Sequence, residues 1–521
     1  MRVVALRHTA VPALAAALLA GHAAAQAPVP APSTSPDRGW AVPAGPLAPA
    51  PIPREEFAAR RRALAGQMGD GVLVAMGAEE PSASWSAFAQ EPEFRYLTGY
   101  DEPGALLVIR KQGDQVSERL YVMPRDPTSE IWNGARIGAE GATRMTGIPA
   151  YDVERMPAAL DSLLRGATTL YTLTPERARG WQSPEQQFIQ ALRGQQSGIR
   201  QVTDLSDRLR TMRQRKSPAE IDMLRRAIHI TSLAQREAMR ATEPGMNEFE
   251  VHALIEGTFR RYGSERPAFG SIVASGPNST TLHYRTADRY MQAGEALVMD
   301  IGASYNGYSA DVTRTIPVGG RFTPEQRAIY ELVLAAQKAA EAEARPGVTM
   351  GRLNQAASAV MSQGLVRLGL MDSDTATYDC ERGGAVRTCP QLFLYYMHAI
   401  GHGIGLDVHD PEIGYTAGFA VGSAFTLEPG IYVRADALDY LPDTPRNRAF
   451  RERVRGALQR YRNIGVRIED DYFFTEQGLE RASVGAPREI AEIEALMNEE
   501  SLWNRERRPE MVEWYRGVHP R

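Results

Sequence analysis

The sequence predicts an α/β (α+β) fold, in which a smaller domain precedes a larger domain made of two similar halves. Strand-like segments alternate with helical segments before residue 209, an order typical of α/β domains. After that point a pair of helices occurs twice, and Pro218 and Pro324 stand at the starts of the two pairs. Each pair is followed by a glycine-rich stretch that carries histidine and acidic residues. We therefore expect a site between the two halves, with ligands from each half.

The first residues have the pattern of a secretory signal peptide. Arg2 and Arg7 precede a short apolar run at residues 11–20, and three alanines at 23–25 stand before Gln26. This order predicts a signal peptide over residues 1–25 and export to the periplasm or the medium. A retained anchor is the alternative, but the apolar run is shorter than the ~20 residues that span a membrane. We expect no membrane span.

The next segment is a linker, and a first folded domain follows it. Residues 26–53 are dense in proline and alanine and are expected to be extended. In the domain at 54–209, EEFAARRRALAGQM predicts a helix and GVLVAMGA a buried strand. Further strands are expected at residues 105–110 and 119–124.

The second domain, at residues 210–497, opens with a helix that has a clear start signal. Ser217 is placed to cap it, Pro218 occupies the first turn, and Glu220 completes a capping box. The second helix of this pair is expected to begin near Asn247 and to end by Gly263.

The second helix pair repeats this plan. Thr323, Pro324 and Gln326 open its first helix, and its second helix runs toward Leu370. Pro-Gly joins the helices of both pairs, at residues 244–245 and 346–347. We interpret this as a duplicated helix-helix-sheet unit, and a chance likeness of two helical hairpins is the alternative. A charged tail is expected at 498–521.

Composition excludes one class of partner. The 521 residues carry a formal net charge of -4, and 43% of them are hydrophobic. There is no basic excess of the kind that binds nucleic acid. A small molecule or a peptide is the expected partner.

The two cysteines predict a disulfide. Cys380 and Cys389 are the only cysteines, and they lie close together in DCERGGAVRTC. Export would place them where disulfides form, so we expect them to pair, with two free thiols as the alternative. Neither has a histidine beside it in sequence, which disfavours a thiol nucleophile.

In the first half of the large domain, two aspartates are expected to meet. Asp300 lies at the end of an apolar strand in EALVMDIGASYNGYSADVTRT, and Asp311 lies on the returning strand. Asn306-Gly307 between them is a strong hairpin-turn signal. His283, in STTLHYR, is expected at another strand end.

In the second half, the stretch MHAIGHGIGLDVHD carries three histidines, His398, His402 and His409. The glycines between them would each cost roughly 1 kcal/mol in a helix, so we predict an extended or looped backbone. Glu428 follows in FTLEPG, and Glu469 is expected on a strand between residues 466 and 474.

These carboxylates predict a metal centre. Burying several carboxylates together is prohibitive unless cations neutralise them. The set suits two divalent ions, with some carboxylates bridging. Four carboxylates and one imidazole favour a hard ion such as Mn²⁺, and cobalt, iron and zinc are the alternatives. The expected ligands are Asp300, Asp311, His402, Glu428 and Glu469.

Several of these segments together resemble a known metallopeptidase family. DIGASYNGYSADVTRT, HAIGHGIGLDVHD, TLEPGIYV and GVRIEDD are similar to the motifs of Xaa-Pro aminopeptidase (aminopeptidase P), prolidase and methionine aminopeptidase. EFRYLTGYDEPGALLVI, PRDPTSEIWNGARIGAEGA and PREIAEIEALM resemble aminopeptidase P in particular. The resemblance implies a creatinase/prolidase-like N-terminal domain followed by a pseudo-symmetric "pita-bread" catalytic domain.

The resemblance also implies roles for single residues. Asp300 would bind one metal, His402 and Glu428 the other, and Asp311 and Glu469 both. Substrate and intermediate contacts would fall to three histidines, with a tyrosine and an arginine in support: His283, His398, His409, Tyr432 and Arg467. Arg467 lies two residues before Glu469 and is expected to face the same side of the strand.

The expected activity is removal of the N-terminal residue from peptides with proline in second position. A hydroxide held between the two metals would attack the carbonyl before proline, and Glu428 would carry the proton to the leaving nitrogen. One alternative is a prolidase that cleaves only Xaa-Pro dipeptides, and another is a non-catalytic peptide-binding module. A metal-independent creatine-type hydrolase is disfavoured by the five ligands.

Two stretches depart from the compact family pattern. The cysteine-containing loop from about Thr375 to Pro390 and an arginine-rich excursion from about Ala435 to Tyr461 are both long. Either is expected to reshape the mouth of the cleft. The resemblance further implies a homo-dimer or homo-tetramer.

Overall fold

The computed structural model describes residues 50–81, 88–173, 184–194 and 198–505. The predicted signal peptide at 1–25, nearly all of the predicted linker and most of the predicted tail lie outside these residues. Within them, no helix is both long enough and apolar enough to cross a membrane.

The N-terminal domain is a mixed sheet with helices on both faces. Its strands lie in the order β4-β3-β2-β1-β5-β6; β1 is antiparallel to β2 and parallel to β5. The elements are α1 (Arg54–Gly66), β1 (Gly71–Met76), α2 (Pro92–Thr98), β2 (Leu106–Gln112), β3 (Gln115–Val122), α3 (Pro127–Asn133), α4 (Gly138–Thr146), β4 (Ala150–Asp152), α5 (Met156–Leu164), β5 (Thr169–Thr172), α6 (Pro184–Gly194), β6 (Gln201–Asp204) and α7 (Ser206–Arg213).

Alternate residues of the central strands enter two different cores. Leu73 and Leu107 pack on one side of the sheet, and Val72 and Leu106 pack on the other. This is the period of two that a β-strand imposes on its side chains. The predicted α1, β1, β2 and β3 are confirmed, with ends that shift by a few residues.

The first half of the large domain begins with the predicted helix pair. Both helices have complete capping boxes, from Ser217 and Glu220 in one and from Asn247 and Glu250 in the other. The elements of this half are α8 (Pro218–Ala241), α9 (Glu248–Arg261), β7 (Arg266–Pro267), β8 (Ile272–Ser275), β9 (Ala296–Ile301), β10 (Ala303–Tyr305), β11 (Tyr308–Ser309) and β12 (Val312–Pro317).

The second half repeats the helix pair followed by strands and contains further strands and helices. Thr323 and Gln326 form the predicted capping box. The elements are α10 (Pro324–Glu343), α11 (Met350–Arg367), β13 (Thr377–Arg382), β14 (Ala385–Pro390), β15 (Ala424–Leu427), β16 (Gly430–Val433), α12 (Pro445–Tyr461), β17 (Ile464–Arg467), β18 (Asp470–Thr475), β19 (Gly478–Arg481), α13 (Ile490–Met497) and α14 (Leu502–Arg505).

The two departures from the family pattern form a hairpin and a helix that contact each other. Strands β13 and β14 make an antiparallel hairpin, which a disulfide between Cys380 and Cys389 crosses, as predicted. Arg446 of α12 bonds the Asp379 carboxylate of this hairpin at 2.6 Å. The arginine-rich excursion is therefore largely the helix α12.

A buried glutamine in each half supports the interpretation of a duplication. Gln235 of α8 donates its side-chain amide to the carbonyls of Met299 and Val312, at 3.0 and 2.8 Å. Gln337 of α10 donates in the same way to Leu427 and Ile468, at 3.0 and 3.2 Å. Each accepting carbonyl belongs to a residue next to one of the predicted acidic ligands. In both halves, a glutamine of the first helix therefore holds two inner segments together by donating to a carbonyl of each.

Candidate metal centre and active site

A hairpin brings the two aspartates of the first half together. Strands β9 and β12 pair antiparallel, with Asp300 opposite Thr313. The chain turns at Asn306-Gly307, where both residues have positive φ, 50° and 79°, as a two-residue hairpin turn requires. Asp311 stands one residue before β12 rather than on it. The two carboxylates repel each other. Burial, followed by the charge of Asp300, raises the pKa of Asp311.

The two glutamates of the second half lie where paired strands separate. Leu427 pairs with Asp470 and Gly430 pairs with Arg467, so Glu428 stands opposite Glu469 between two ladders. The prediction of one strand from 466 to 474 is therefore wrong, since the chain is split into β17 and β18.

The interruption has a hydrogen-bonding cause. The amide of Glu428 donates to the Ile400 carbonyl at 2.7 Å, and that of Glu469 donates to the Thr313 carbonyl at 3.0 Å. Pro429 has no amide to offer the ladder. The backbone amides of both glutamates therefore bond other segments and not each other. This arrangement places the two glutamates at the space between the halves.

His402 lies on irregular backbone, as predicted. Its glycine neighbour Gly401 allows this, because a Cβ there would lie 2.0 Å from the Thr426 carbonyl oxygen. The His402 Nδ1–H donates to the Gly403 carbonyl at 3.0 Å, so the lone pair is on Nε2. That nitrogen faces carboxylate oxygens of three residues, Asp311, Glu428 and Glu469, at 3.4, 3.6 and 4.0 Å.

The carboxylates carry more negative charge than the protein compensates. Burial, followed by the neighbouring carboxylates, raises the pKa of Asp311 and of Glu469 well above the usual range. Burial also raises the pKa of Glu428 to about 7. In the described part of the chain, one oxygen of each of Asp300, Asp311 and Glu469 is buried without a hydrogen-bond partner. Unpaired buried oxygens of this kind are costly unless a cation meets them.

The residues fit a metal ion. Asp311, His402 and Glu469 each offer one ligand atom within 4.8 Å of the others. Asp300 and Glu428 border this group through their interactions with Asp311 and His402. All five residues predicted as ligands therefore converge on one place.

Arg467 connects the first aspartate to an aromatic pair. The buried guanidinium donates to Asp300 at 2.6 Å and to the Tyr432 hydroxyl at 2.8 Å. The His398 Nδ1–H donates to the Ala399 carbonyl at 2.8 Å, so its Nε2 accepts from the Tyr432 hydroxyl at 2.9 Å. Burial lowers the pKa of His398 to about 4, so this imidazole is neutral at pH 7.

His409 and His283 lie on the open side of the cluster. The ring of His409 is 4.0 Å from that of His402, centroid to centroid. Burial, with His402 and His283 nearby, lowers the pKa of His409 to about 4. His283 lies in a turn beyond a 3₁₀ segment, Gly276–Thr280, not at a strand end as predicted. Pro277 ends the strand early because it lacks an amide hydrogen.

Sequence reasoning missed two residues that contact the ligands. The Thr313 hydroxyl donates to Glu469 at 2.6 Å and accepts from Arg467 at 3.2 Å. Asp471 accepts the backbone amide of Asp311 at 3.1 Å. A signal existed for Thr313, because it lies two residues after Asp311 and so faces the same side of the hairpin.

Known proteins with the same organisation are numerous. Residues 57–171 match the N-terminal domain of aminopeptidase P, and residues 222–476 match metallopeptidase family M24. The Xaa-Pro aminopeptidase of Haemophilus influenzae is 34% identical over 457 residues, which cover 86% of this chain and 98% of that protein. The Xaa-Pro aminopeptidase of Escherichia coli is 32% identical over 458 residues, with the same coverage of both chains.

A solved structure extends this likeness to three dimensions. Escherichia coli aminopeptidase P with the inhibitor Pro-Leu has a TM-score of 0.73 to this structure and 32% identity, covering 86% of this chain and 99% of that one. The chain belongs to metallopeptidase family M24, in which it combines the aminopeptidase P N-terminal domain with the M24 catalytic domain.

Proposed function

We propose that this protein is an Xaa-Pro aminopeptidase, which releases the first residue of a peptide whose second residue is proline. The observation that carries the proposal is the cluster of five ligands, in which His402 Nε2 faces three carboxylates. The chain also covers 98% of an Xaa-Pro aminopeptidase at 34% identity. These relatives do not favour a prolidase. A non-catalytic peptide-binding module would not need all five metal ligands.

We propose two divalent ions, most simply Mn²⁺, as the metals. Asp300, Asp311, His402, Glu428 and Glu469 would hold them. When bound, such ions polarise a carbonyl and lower the pKa of water toward ~7. The oxygen-rich ligand set supports manganese, and cobalt, iron and zinc are the alternatives.

Glu428 is the proposed proton carrier. A proline nitrogen in a peptide bond has no hydrogen, so the leaving group must receive a proton during cleavage. The Glu428 carboxyl is half-buried, and its pKa is raised to about 7. This value is that of the protein without metal; in the metal-loaded protein the Glu428 carboxylate would accept a proton from water and pass it to the leaving nitrogen.

The histidines divide between two tasks. His409 is neutral and has a ring on the open side of the cluster, so an N–H of its ring would donate to the substrate carbonyl oxygen. His283, which is also exposed, lies beside it. Both ring nitrogens of His398 already have partners, so His398 would act mainly by orienting Tyr432 and Arg467.

A peptidase assay tests the proposal. Release of the first residue would be measured from an Xaa-Pro-Xaa tripeptide, an Xaa-Pro dipeptide and an Xaa-Ala-Xaa control, after chelation and after Mn²⁺ is restored. We expect metal-dependent cleavage of the proline tripeptide and little cleavage of the control. Cleavage of the dipeptide alone would indicate a prolidase. No cleavage by protein that contains two metals would favour a binding module.

We also propose that the protein is exported and assembles as a homo-dimer or homo-tetramer. The pattern of residues 1–25 supports export, and N-terminal sequencing of the protein from the producing cell should begin at Gln26. Recovery of the protein from the cytoplasm with Met1 still at its N-terminus would contradict export.

Sedimentation of the purified protein tests the assembly, and a single monomeric species would contradict it.

A further inference from the structure

A cluster of five charged residues lies where the N-terminal domain meets the catalytic domain. We call it the junction cluster: Glu93, Arg213, Lys216, Asp407 and Asp410. Three of its side chains, Arg213, Lys216 and Asp410, are at most 2% exposed. Buried charges are retained only when they are paired well, so this cluster has a defined arrangement. None of its members belongs to the metal centre.

Arg213 joins the two domains. One guanidinium nitrogen donates to Glu93 of α2 at 3.0 Å. The other donates to Asp407 at 2.7 Å and also to Asp410. Glu93 lies in the N-terminal domain, and both aspartates lie in the segment between His402 and His409 or beside it. Arg213 therefore connects the first domain directly to the histidine segment.

Lys216 makes a second connection to the same carboxylate. Its ammonium group donates to Asp410 at 2.8 Å and to the Arg213 carbonyl at 2.9 Å. The Lys216 amide also donates to the Gly422 carbonyl at 2.8 Å. Burial alone would raise the pKa of Asp410, but Arg213 and Lys216 outweigh burial and lower it.

Asp410 closes the segment that carries the histidines. Its amide donates to the Gly403 carbonyl at 2.8 Å, so residues 403–410 form a closed loop. Its carboxylate accepts the Asp407 amide at 3.1 Å. Gly403 follows His402 and Asp410 follows His409, and the two rings are in contact. Asp410 thus anchors the His409 end of the loop, whereas the His402 end is also held by bonds of the His402 backbone to Thr426.

We infer that Lys216 and Arg213 are positioning residues, which act through Asp410 to hold His409 at the place where it contacts the substrate. The inference rests on the proposed function, because it assigns His409 to the substrate carbonyl. It extends that function by making catalysis depend on the N-terminal domain. A displacement of about 1 Å at such a group lowers a rate by about a hundredfold.

A double-mutant cycle with His409 tests the inference. Lys216→Met removes one cation from Asp410 and keeps the apolar stem, so kcat/KM on the proline tripeptide should fall about 10- to 100-fold. The content of bound Mn²⁺ should not change. In the His409→Ala background the same substitution should change kcat/KM less than about twofold, since residues that act through one another are not additive.

Arg60→Met supplies the matched control. Arg60 of α1 pairs with Glu220 of α8 at 3.0 Å, and both side chains are 6% exposed, so this is also a buried ion pair between the two domains. Its partners in the described chain include Glu56, Phe57, Tyr96, Glu220 and Tyr308, and none of these lies in the loop at 403–410. Any effect of Arg60→Met on kcat/KM should therefore be the same with and without His409.

The outcomes separate this inference from the proposed function. Equal effects of Lys216→Met with and without His409 would overturn the inference and leave the proposed function intact. No loss on His409→Ala would overturn the inference and the role proposed for His409 while leaving the aminopeptidase activity. No cleavage by the wild type would overturn both the inference and the proposed function. If Lys216→Met does not fold, Asp407→Ala takes its place, because Asp407 is 44% exposed and also binds Arg213. It should show a smaller loss that again disappears without His409.

Discussion

The two halves of the catalytic domain deliver their acidic ligands in different ways. In the first half, Asp300 lies on a paired strand, opposite Thr313, and Asp311 stands one residue before the partner strand, where its amide bonds the Asp471 carboxylate. In the second half, Glu428 and Glu469 stand where the pairing is interrupted, and their amides bond to other segments. His402 lies outside any strand, and its backbone bonds Thr426 of β15.

The hydrogen bonds of these residues show which of the predicted ligands are held by residues of the other half. Asp300 is positioned by a local turn and a regular ladder, whereas the amide of Asp311 bonds Asp471 of the second half. Glu469 instead bonds the Thr313 carbonyl and hydroxyl, both from the first half. Gln235 and Gln337 hold the strands of the two halves through equivalent hydrogen bonds. Each half therefore holds one predicted ligand of the other, Asp311 through Asp471 and Glu469 through Thr313.

The strongest test of the comparison is Asp311→Asn. The substitution removes a charge from a hairpin that should remain folded, so activity should be lost without loss of structure. Loss of a group that merely supports a metal ligand costs about 10–100-fold, and we expect kcat/KM to fall further than that. Bound metal should also decrease. The controls are circular dichroism and thermal unfolding; a near-normal rate with full metal supply would contradict the assignment.

A second test compares Thr313→Val with Thr426→Val. Thr313 bonds a ligand side chain, whereas Thr426 accepts only the backbone amide of His402, at 3.1 Å. Thr313→Val should weaken metal binding about 10- to 100-fold, as measured by metal titration of the chelated protein. Thr426→Val should weaken it less, since the Thr426 amide still donates to the His402 carbonyl. The reverse order would show that support across the halves is not decisive.

A third test uses the two glutamines as a matched pair. Gln235→Met and Gln337→Met each remove the side-chain donor to two buried carbonyls. Gln337→Met also removes an acceptor of Arg488 at 2.8 Å, but Arg488 keeps Glu341 and Asp470 as partners. Each unsatisfied group costs about 1–3 kcal/mol, so each variant should lose about 3 kcal/mol of unfolding free energy in urea. Metal affinity should fall more for Gln337→Met, because the strands of its half lack a continuous ladder. Equal losses of affinity would remove the distinction between the halves.

The smallest effect concerns the pH dependence of the metal-free protein. The pKa of Glu428 is raised from its ordinary value of 4.5 to about 7. A carboxyl whose pKa is higher when folded stabilises the protein fully below the unfolded pKa and loses that contribution as the pH rises through the folded one.

The metal-free protein should therefore lose stability between pH 4.5 and 7. Glu428→Gln, which cannot titrate, should lose less than the wild type over the same interval. Thermal unfolding of both proteins across this range provides the measurement, with the metal-loaded wild type as a reference. Identical pH profiles of wild type and variant would contradict the prediction.

Local signals determined much of the fold from the sequence alone. The capping boxes at Ser217 and Thr323 and the Asn306-Gly307 turn were predicted correctly, because each depends on residues within a few positions of one another. The family motifs predicted the five positions that converge at the candidate metal centre. The wrong placements were His283 at a strand end and Glu469 within a single strand, where hydrogen bonds to distant segments decide the backbone.

Only the tertiary structure decided how the ligands meet. The sequence places Thr313 on the same side of the hairpin as Asp311, but nothing near Thr313, Gln235, Gln337 or Lys216 in the chain indicates which group each one bonds. Their partners are far away in sequence, since the Thr313 hydroxyl reaches Glu469 and the Lys216 ammonium reaches Asp410. A local pattern specifies an element and the chemistry it carries. The direction in which a buried carboxylate points is specified by whichever donors and cations the rest of the fold brings against it.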